Sequence, residues 1–325
     1  MNREHNMKTV TVVIPSYNRA KILPKTIPTY LQPDVNELII IDDCSSDNTE
    51  QVVKKLQKKY PIIKYFRNEV NSKQTFSKNV GIKNATCDYI YFGDDDSIIK
   101  PGTIKRLIEV KEKYNFDLVG ARYLTCEDYC SDKISKIAAY EVWKRKLWTV
   151  DGSRIANLEP FRSFFCGYCK SDYIEVPYVH ACFLTDRSIA SNILFNTFYT
   201  GCALREETDF IIRCLLNDKK IAYVPDACQI NLAPKYVKST GARTGGQEAW
   251  LKSALECNEI FFKKYWNLLR EKFNLTYSLE QILEQTSKDI KDCSASTNKF
   301  SLYEYLYFNL YVAYKYRPIG LEWKY

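Results

Sequence analysis

The chain has 325 residues, 46% of them apolar, and carries 47 basic against 39 acidic residues. That composition supports one sizeable core or two modest ones and excludes an intrinsically disordered chain. The formal charge of +8 is scattered along the sequence, so no nucleic-acid partner is expected, although a basic face would still attract an anionic diphosphate or membrane headgroups. No charged start, apolar middle and small-residue cleavage site stands at the N-terminus, and no apolar run approaches the ~20 residues that span a bilayer. A cytoplasmic protein, at most peripheral to a membrane, is expected.

From Thr9 to Leu124 apolar strands alternate with helical stretches, which predicts a mostly parallel α/β sheet flanked by helices, with right-handed crossovers. The strands read as Thr9 to Pro15, Glu37 to Asp42, Ile62 to Phe66, Asp88 to Gly93 and Asp117 to Leu124. The clearest helices are Ser46 to Tyr60 and Pro101 to Tyr114, the second with proline at its start. Cys126 to Pro177 is irregular and aromatic, and long irregular segments in compact domains tend to be functional. Order returns with Val179 to Thr185, a helix from Asp186, a helix through Glu207 to Leu216 and the short strand Ile221 to Val224. From Gln247 the reading is mostly helical. No acidic or phosphate-binding cluster appears there, so this extension is expected to be structural or oligomeric.

In open parallel sheets ligands bind beyond the carboxyl ends of the strands. Here the first strand runs into Pro15-Ser16-Tyr17-Asn18-Arg19, the second into Asp42-Asp43-Cys44-Ser45-Ser46-Asp47 and the fourth into Asp94-Asp95-Asp96-Ser97. Clustered carboxylates would repel an anionic ligand unless a divalent cation lay between them, and aspartate oxygens suit hard ions such as Mg2+ or Mn2+. Alternation along an extended segment lets Asp94 and Asp96 share an ion while Asp95 faces away. The plainer alternatives are a solvated acidic turn for the triplet and a helix cap for one of Asp42 and Asp43.

Together Val12 to Arg19, Ile39 to Thr49 and Tyr91 to Asp96 resemble the GT-A fold, family-two inverting glycosyltransferases. Asn79-Val80-Gly81-Ile82 resembles that family's helix before the metal-binding strand, and Arg205-Glu206-Glu207-Thr208-Asp209-Phe210 with Arg213 resembles its acidic catalytic motif. Five motifs in order are more specific than any one alone. The resemblance implies transfer of a sugar from a UDP- or dTDP-sugar, UDP favoured, to a hydroxyl of a glycan, lipid or protein acceptor, with Mn2+ or Mg2+. It implies that Pro15, Tyr17 and Asp43 hold the base and ribose, with Asn18, Arg19, Lys73, Lys78 and Asp95 beside the donor. Asp94 and Asp96 would hold the metal. Asp43 can accept a ring N–H, which favours uracil or thymine over cytosine. Inversion needs a base for the acceptor hydroxyl. Glu207 is the first choice and Glu206 the second, since the family more often has Asp there. Asn231 stands where the family often has histidine, and Lys78 where it often has arginine. The expected organisation is a disordered terminus over residues 1–7, a GT-A domain over residues 8–235 divided into a nucleotide half, 8–125, and an acceptor half, 126–235, and a helical C-terminal extension over 236–325.

A catalytically silent nucleotide-sugar-binding or scaffolding protein of the same fold is the alternative, which retention of Asp94, Asp96 and Glu207 argues against. Of 12 cysteines, most sit singly in apolar strings and read as buried thiols. Cys126 with Cys130 and Cys166 with Cys169 are close pairs that could ligate a structural zinc, with ordinary thiols as the alternative. The tyrosine-rich stretch Ser301 to Tyr316 fits core packing, a homo-oligomer contact or a membrane interface.

Overall fold

The computed structural model describes residues 8–126, 149–232 and 245–295. The first half is built of β1 (Val10–Ser16), α1 (Leu23–Tyr30), β2 (Val35–Asp42), α2 (Thr49–Lys59), β3 (Ile63–Arg67), α3 (Lys73–Asn84), β4 (Tyr89–Phe92), β5 (Ser97–Ile99), α4 (Thr103–Tyr114) and β6 (Leu118–Cys126). The second half contributes β7 (Ala156–Asn157), β8 (Arg162–Ser163), β9 (Ile174–Glu175), β10 (Phe183–Asp186), α5 (Arg187–Ile193), α6 (Glu206–Leu216), β11 (Ile221–Leu232), α7 (Gly246–Phe273) and α8 (Leu279–Ala295).

The main sheet runs β3-β2-β1-β4-β10-β6-β11-β5, with β9 beside β11. Strands β3, β2, β1 and β4 pair in parallel, as the alternating pattern predicts. Every residue of β1 is buried, and its side chains alternate between two cores as a pleated strand requires. Val10, Val12 and Ile14 join the core packed with α1, α2 and α4, whereas Val13 joins the one that includes Phe210 of α6 and Phe261, Phe262 and Trp266 of α7. Helix α3 lies close against the strands because Gly81 has no side chain there. A Cβ at that position would fall 2.3 Å from Val13 Cγ1.

The sheet is mostly parallel, as read, with antiparallel pairing confined to β10, β9 and β5. Strand β10 is shorter than the apolar run Val179 to Thr185 and inserts antiparallel between β4 and β6. Strand β11 extends well past Val224, and its register shifts between Val224 and Cys228. Pro225 and Asp226 fall in that shift, where a residue without an N–H is tolerated as a bulge. Beyond it, β11 reaches the three-residue β5 and brings Asn231 opposite Ser97. The aromatic segment before β10 is less irregular than its sequence. Phe161 stacks on Tyr178 at 4.6 Å and meets Phe262 edge-on at 4.9 Å, which fastens it to α7. Cys130 and the Ser301 to Tyr316 stretch lie outside the described residues, as does the side chain of Cys126, so the four-cysteine zinc reading does too. Among the described residues Cys169 is buried and Cys166 partly exposed.

Candidate functional site

A cavity of about 280 Å³ opens beyond the ends of β1, β2 and β4. Its lining includes Pro15 and Ser16 at the end of β1, Tyr17 and Arg19 after it, Asp43 after β2, Asn71, Lys73 and Gln74 at the start of α3, and Asp94, Asp95 and Asp96 after β4. Gly201, Cys202, Ala203 and Glu207 form the wall before and at α6, and Asn231 comes from β11.

The paired aspartates after β2 divide their work. Asp42 is fully buried, takes hydrogen bonds from Tyr65 Oη at 2.6 Å and Arg67 Nη1 at 2.7 Å, and receives the Ser45 amide at 2.8 Å. It therefore shapes the loop and leaves the cavity to Asp43. The Asp43 carboxylate accepts from Asn68 Nδ2, the Ser72 amide and the Lys73 amide, each at 2.8 Å. A carboxylate offers about four lone-pair positions, so one remains for a ligand donor. Asn18 turns away: its Oδ1 accepts from the Ser46 amide at 2.8 Å and the Asp47 amide at 3.3 Å, which ties two loops together.

Asp94, Asp95 and Asp96 all line the cavity, contrary to the expected alternation. The chain turns at Asp95 and Asp96 instead of continuing as strand, so the period of two does not apply. Helix α1 holds the turn from behind: Tyr30 Oη donates to the Asp94 carbonyl at 2.9 Å and Thr26 Oγ1 to the Asp95 carbonyl at 2.9 Å. The Arg19 guanidinium sits between two of the carboxylates, with Nε 3.0 Å from Asp95 and Nη2 3.2 Å from Asp96. Asp94 accepts from the Cys182 thiol at 3.4 Å. Burial pushes the Asp96 carboxyl up to about 7, reinforced by the charge of Asp95 and only partly offset by Arg19. Burial likewise raises Asp94, against the pull of Lys78.

The opposite wall is organised differently. Glu206, Glu207 and Asp209 stand in the first turn of α6, where the helix dipole favours negative charge. Lys78, buried in α3, reaches Glu206 at 2.9 Å and Glu207 at 2.7 Å, and its ammonium also lies 5.0 Å from the Phe195 ring centroid. It does not line the cavity, so the expected placement beside donor phosphates is replaced by a buried ion-pair role. Lys73 stays at the rim. Glu206 is wholly buried, also takes a hydrogen bond from Gln74, and has an Oε2 without a partner. Only Glu207 of the two glutamates faces the cavity. Burial and the charge of Glu207 hold the Glu206 carboxyl well above its usual range. For Glu207, burial acts upward, but Lys78 and a hydrogen bond from Glu206 bring its carboxyl below the ordinary value.

Helix α7 braces this wall. Asp209 accepts from Tyr265 Oη at 2.7 Å and from Arg213 Nε at 2.7 Å, and Arg205 donates to Asn258 Oδ1 at 3.0 Å. Sequence reading missed Ser16, Asn71, Gln74 and the Gly201 to Ala203 wall. The Ser16 hydroxyl and Asn71 Oδ1 are buried without partners, and only their places at the end of β1 and before α3 signalled them.

Asp94 and Asp96 present hard oxygen donors, and among the described residues one guanidinium, Arg19, contacts the triplet, so their negative charge fits a divalent cation. Among the described residues no set of three or more His, Cys, Asp or Glu side chains could hold a metal by itself. A Mg2+-like ion satisfied by one or two carboxylates plus substrate phosphates does not need such a set.

A sequence model described as "Glycosyl transferase family 2" matches residues 11–190. GalNAc(5)-diNAcBac-PP-undecaprenol beta-1,3-glucosyltransferase of Campylobacter jejuni is 37% identical over 107 residues, 32% of this chain and 34% of that one. Poly(ribitol-phosphate) beta-N-acetylglucosaminyltransferase TarP of Staphylococcus aureus is 31% identical over 123 residues, 36% of this chain and 37% of that one. The chain thus spans about a third of the length of these curated relatives. The fold is similar to S. aureus TarS 1-349 in complex with UDP-GlcNAc, with a TM-score of 0.56 at 17% identity over 94% of this chain and 80% of that one. It is also similar to GalNAc-T7 with UDP, GalNAc and Mn2+, with a TM-score of 0.54 at 12% identity over 90% and 59%.

Proposed function

Since the chain belongs to glycosyl transferase family 2, whose model matches more than half of its 325 residues, we propose that it is an inverting glycosyltransferase using a UDP- or dTDP-sugar, UDP favoured. The observation that carries this reading is one cavity that brings together Tyr17 and Asp43, the acidic turn at Asp94 to Asp96, and the Glu207 carboxyl on the facing wall. The base stacks on Tyr17 and gives its ring N–H to the remaining acceptor position of Asp43. The diphosphate points toward Asp94 and Asp96, with Lys73 at the rim. Asp94 and Asp96 would hold Mn2+ or Mg2+, which supplies charge stabilisation for the departing nucleoside diphosphate.

Glu207 takes the acceptor hydroxyl's proton as that oxygen attacks the anomeric carbon opposite the leaving group. Glu206, protonated and buried, hydrogen-bonds Glu207, and Lys78 neutralises the charge that remains. The site residues divide between an N-terminal portion that binds the donor and a second portion that carries the base, as in the division near residue 125. Among the described residues no helix is long and apolar enough to cross a membrane, and a glycan, lipid or protein could each reach the cavity as acceptor.

The test is turnover of a UDP-sugar panel by the wild type and by Glu207→Gln, with calorimetry of UDP in Mn2+ and in EDTA. Metal-dependent binding with turnover lost in the variant supports the reading. Donor binding without transfer or hydrolysis by the wild type would instead support the silent binder.

A further inference from the structure

The wall from Thr200 to Arg205 is pressed onto α7 at a second chemically active point. The Cys202 amide donates to Ser253 Oγ at 3.0 Å, and Ser253 Oγ donates to the Thr200 carbonyl at 3.3 Å. The Cys257 thiol, one turn further along α7, reaches the same carbonyl at 3.6 Å. Such close approach depends on Gly201, whose φ is +63° and where a Cβ would lie 2.1 Å from Ser253 Oγ. The result is that Cys202 and Cys257, 55 residues apart by their numbers in the sequence, are gathered around the same Thr200 carbonyl and Ser253 hydroxyl.

Their surroundings differ. Cys257 is 3% exposed, whereas Cys202 is partly exposed and lines the cavity. The neighbouring Cys257 thiol, helped by the Leu204 amide and Ser253, outweighs burial and brings the Cys202 thiol down to about 6. A thiolate that is accessible and stabilised by neighbouring donors is the reactive form of cysteine, and a second thiol within contact is the usual resolving partner. None of the proposed steps of sugar transfer uses either sulfur.

We propose that Cys202 and Cys257 form an oxidant-reactive dithiol that closes to a disulfide between the cavity wall and α7. With hydrogen peroxide as oxidant, the Cys202 thiolate attacks one peroxide oxygen. The S–O bond forms, the O–O bond breaks, and hydroxide leaves and is protonated to water. The Cys257 sulfur then attacks the Cys202 sulfenic acid: the S–S bond forms, the S–O bond breaks, and a second water leaves with the Cys257 proton. Two thiols thereby lose two electrons and two protons, and one peroxide becomes two waters. An external dithiol reverses the change by exchange.

The experiment is intact-mass and peptide mapping of the full chain after brief exposure to near-stoichiometric hydrogen peroxide, then alkylation of the remaining thiols. The expected wild-type product is lighter by about 2 Da, carries a Cys202–Cys257 linked peptide, and regains its mass with dithiothreitol. In Cys257→Ser that linked peptide is gone and Cys202 is trapped as a sulfenic acid by a 1,3-diketone. Cys257→Ala, with folding checked by circular dichroism, repeats the test should serine disturb α7. The proposal is overturned if Cys44 or Cys166, which are also partly exposed, oxidise while Cys202 stays reduced, or if Cys202 oxidises without linking to Cys257.

Discussion

Two acidic clusters face each other across the cavity, and they carry their charge in opposite ways. Among the described residues the triplet Asp94 to Asp96 meets one guanidinium, Arg19, and burial pushes the Asp94 and Asp96 carboxyls upward. The pair Glu206 and Glu207 encloses a buried lysine, and one of its carboxyls is driven below the ordinary range. The difference teaches that a count of acidic residues says little about their role. The first cluster is left short of positive charge, which suits a ligand cation. The second is balanced from within, which suits a carboxylate that must be ionised before substrate arrives.

The sharpest way to break the contrast is at Glu207. Glu207→Gln keeps size and much of the hydrogen bonding but cannot take a proton, so turnover is expected to fall by ~10²- to 10⁴-fold with UDP affinity unchanged. Asp96→Asn should weaken metal and UDP binding together with turnover, because its role begins in the ground state. Steady-state kinetics beside calorimetry separates the two. Full activity in Glu207→Gln with loss in Glu206→Gln would move the base by one residue.

Next in size is Lys78→Met, which leaves two buried glutamates without their cation. Breaking one partner of a buried pair typically costs about 3–5 kcal/mol, and urea unfolding should register a loss of that order. Lys78→Arg should lose less, since charge is retained, although the fork fits a two-carboxylate pocket differently. Unchanged stability in Lys78→Met would mean that Glu206 and Glu207 are neutralised from elsewhere.

How much of this could be read from the residues alone follows from how local each feature is. Strand-end motifs such as Asp42 to Asp47 and Asp94 to Asp96 were legible because charge directly after a buried strand has few structural uses. The lysine between the glutamates was not, since Lys78 and Glu206 are 128 positions apart and nothing in either segment names the other. The antiparallel place of β10 within the mostly parallel sheet was hidden for a related reason: an apolar run such as Phe183 to Thr185 has the same composition whichever way it pairs. The extension was read as chemically idle. Helix α7 indeed places none of its side chains among those lining the cavity, yet Asn258 and Tyr265 hold Arg205 and Asp209 at the base of the acidic motif. A chain ending near residue 240 is therefore expected to lose the ordered α6 wall, and with it the turnover that depends on Glu207.

The aspartate side is tested by removing the cation. UDP affinity measured in EDTA should fall more than ~10-fold from that in Mn2+, about 1.4 kcal/mol. Equal affinity would mean that Arg19 and Lys73 meet the diphosphate without a metal.

The smallest expected effect reports on the balance of the glutamate side. His180 stacks on Tyr123 at 3.7 Å between ring centroids, and burial lowers it to about 4, with Glu207 pulling upward and Lys78 downward. Because those two charges oppose each other, burial decides the direction. The unfolded chain takes up this proton near pH 6.5, whereas the folded chain resists until about pH 4. Protons therefore favour the unfolded state across that interval: the contribution of neutral His180 is full above pH 6.5 and is lost as pH falls toward 4. His180→Gln should flatten Tm against pH in this window alone, by a few degrees, on the order of 1 kcal/mol for a chain of this size. The only other histidine is His5, so little else of that type titrates there. If Tm instead falls as steeply in His180→Gln as in the wild type, His180 is not the source of the acid sensitivity; Asp96 cannot supply it, because a carboxyl raised to about 7 in the folded chain takes up its proton there first and favours the fold as pH falls.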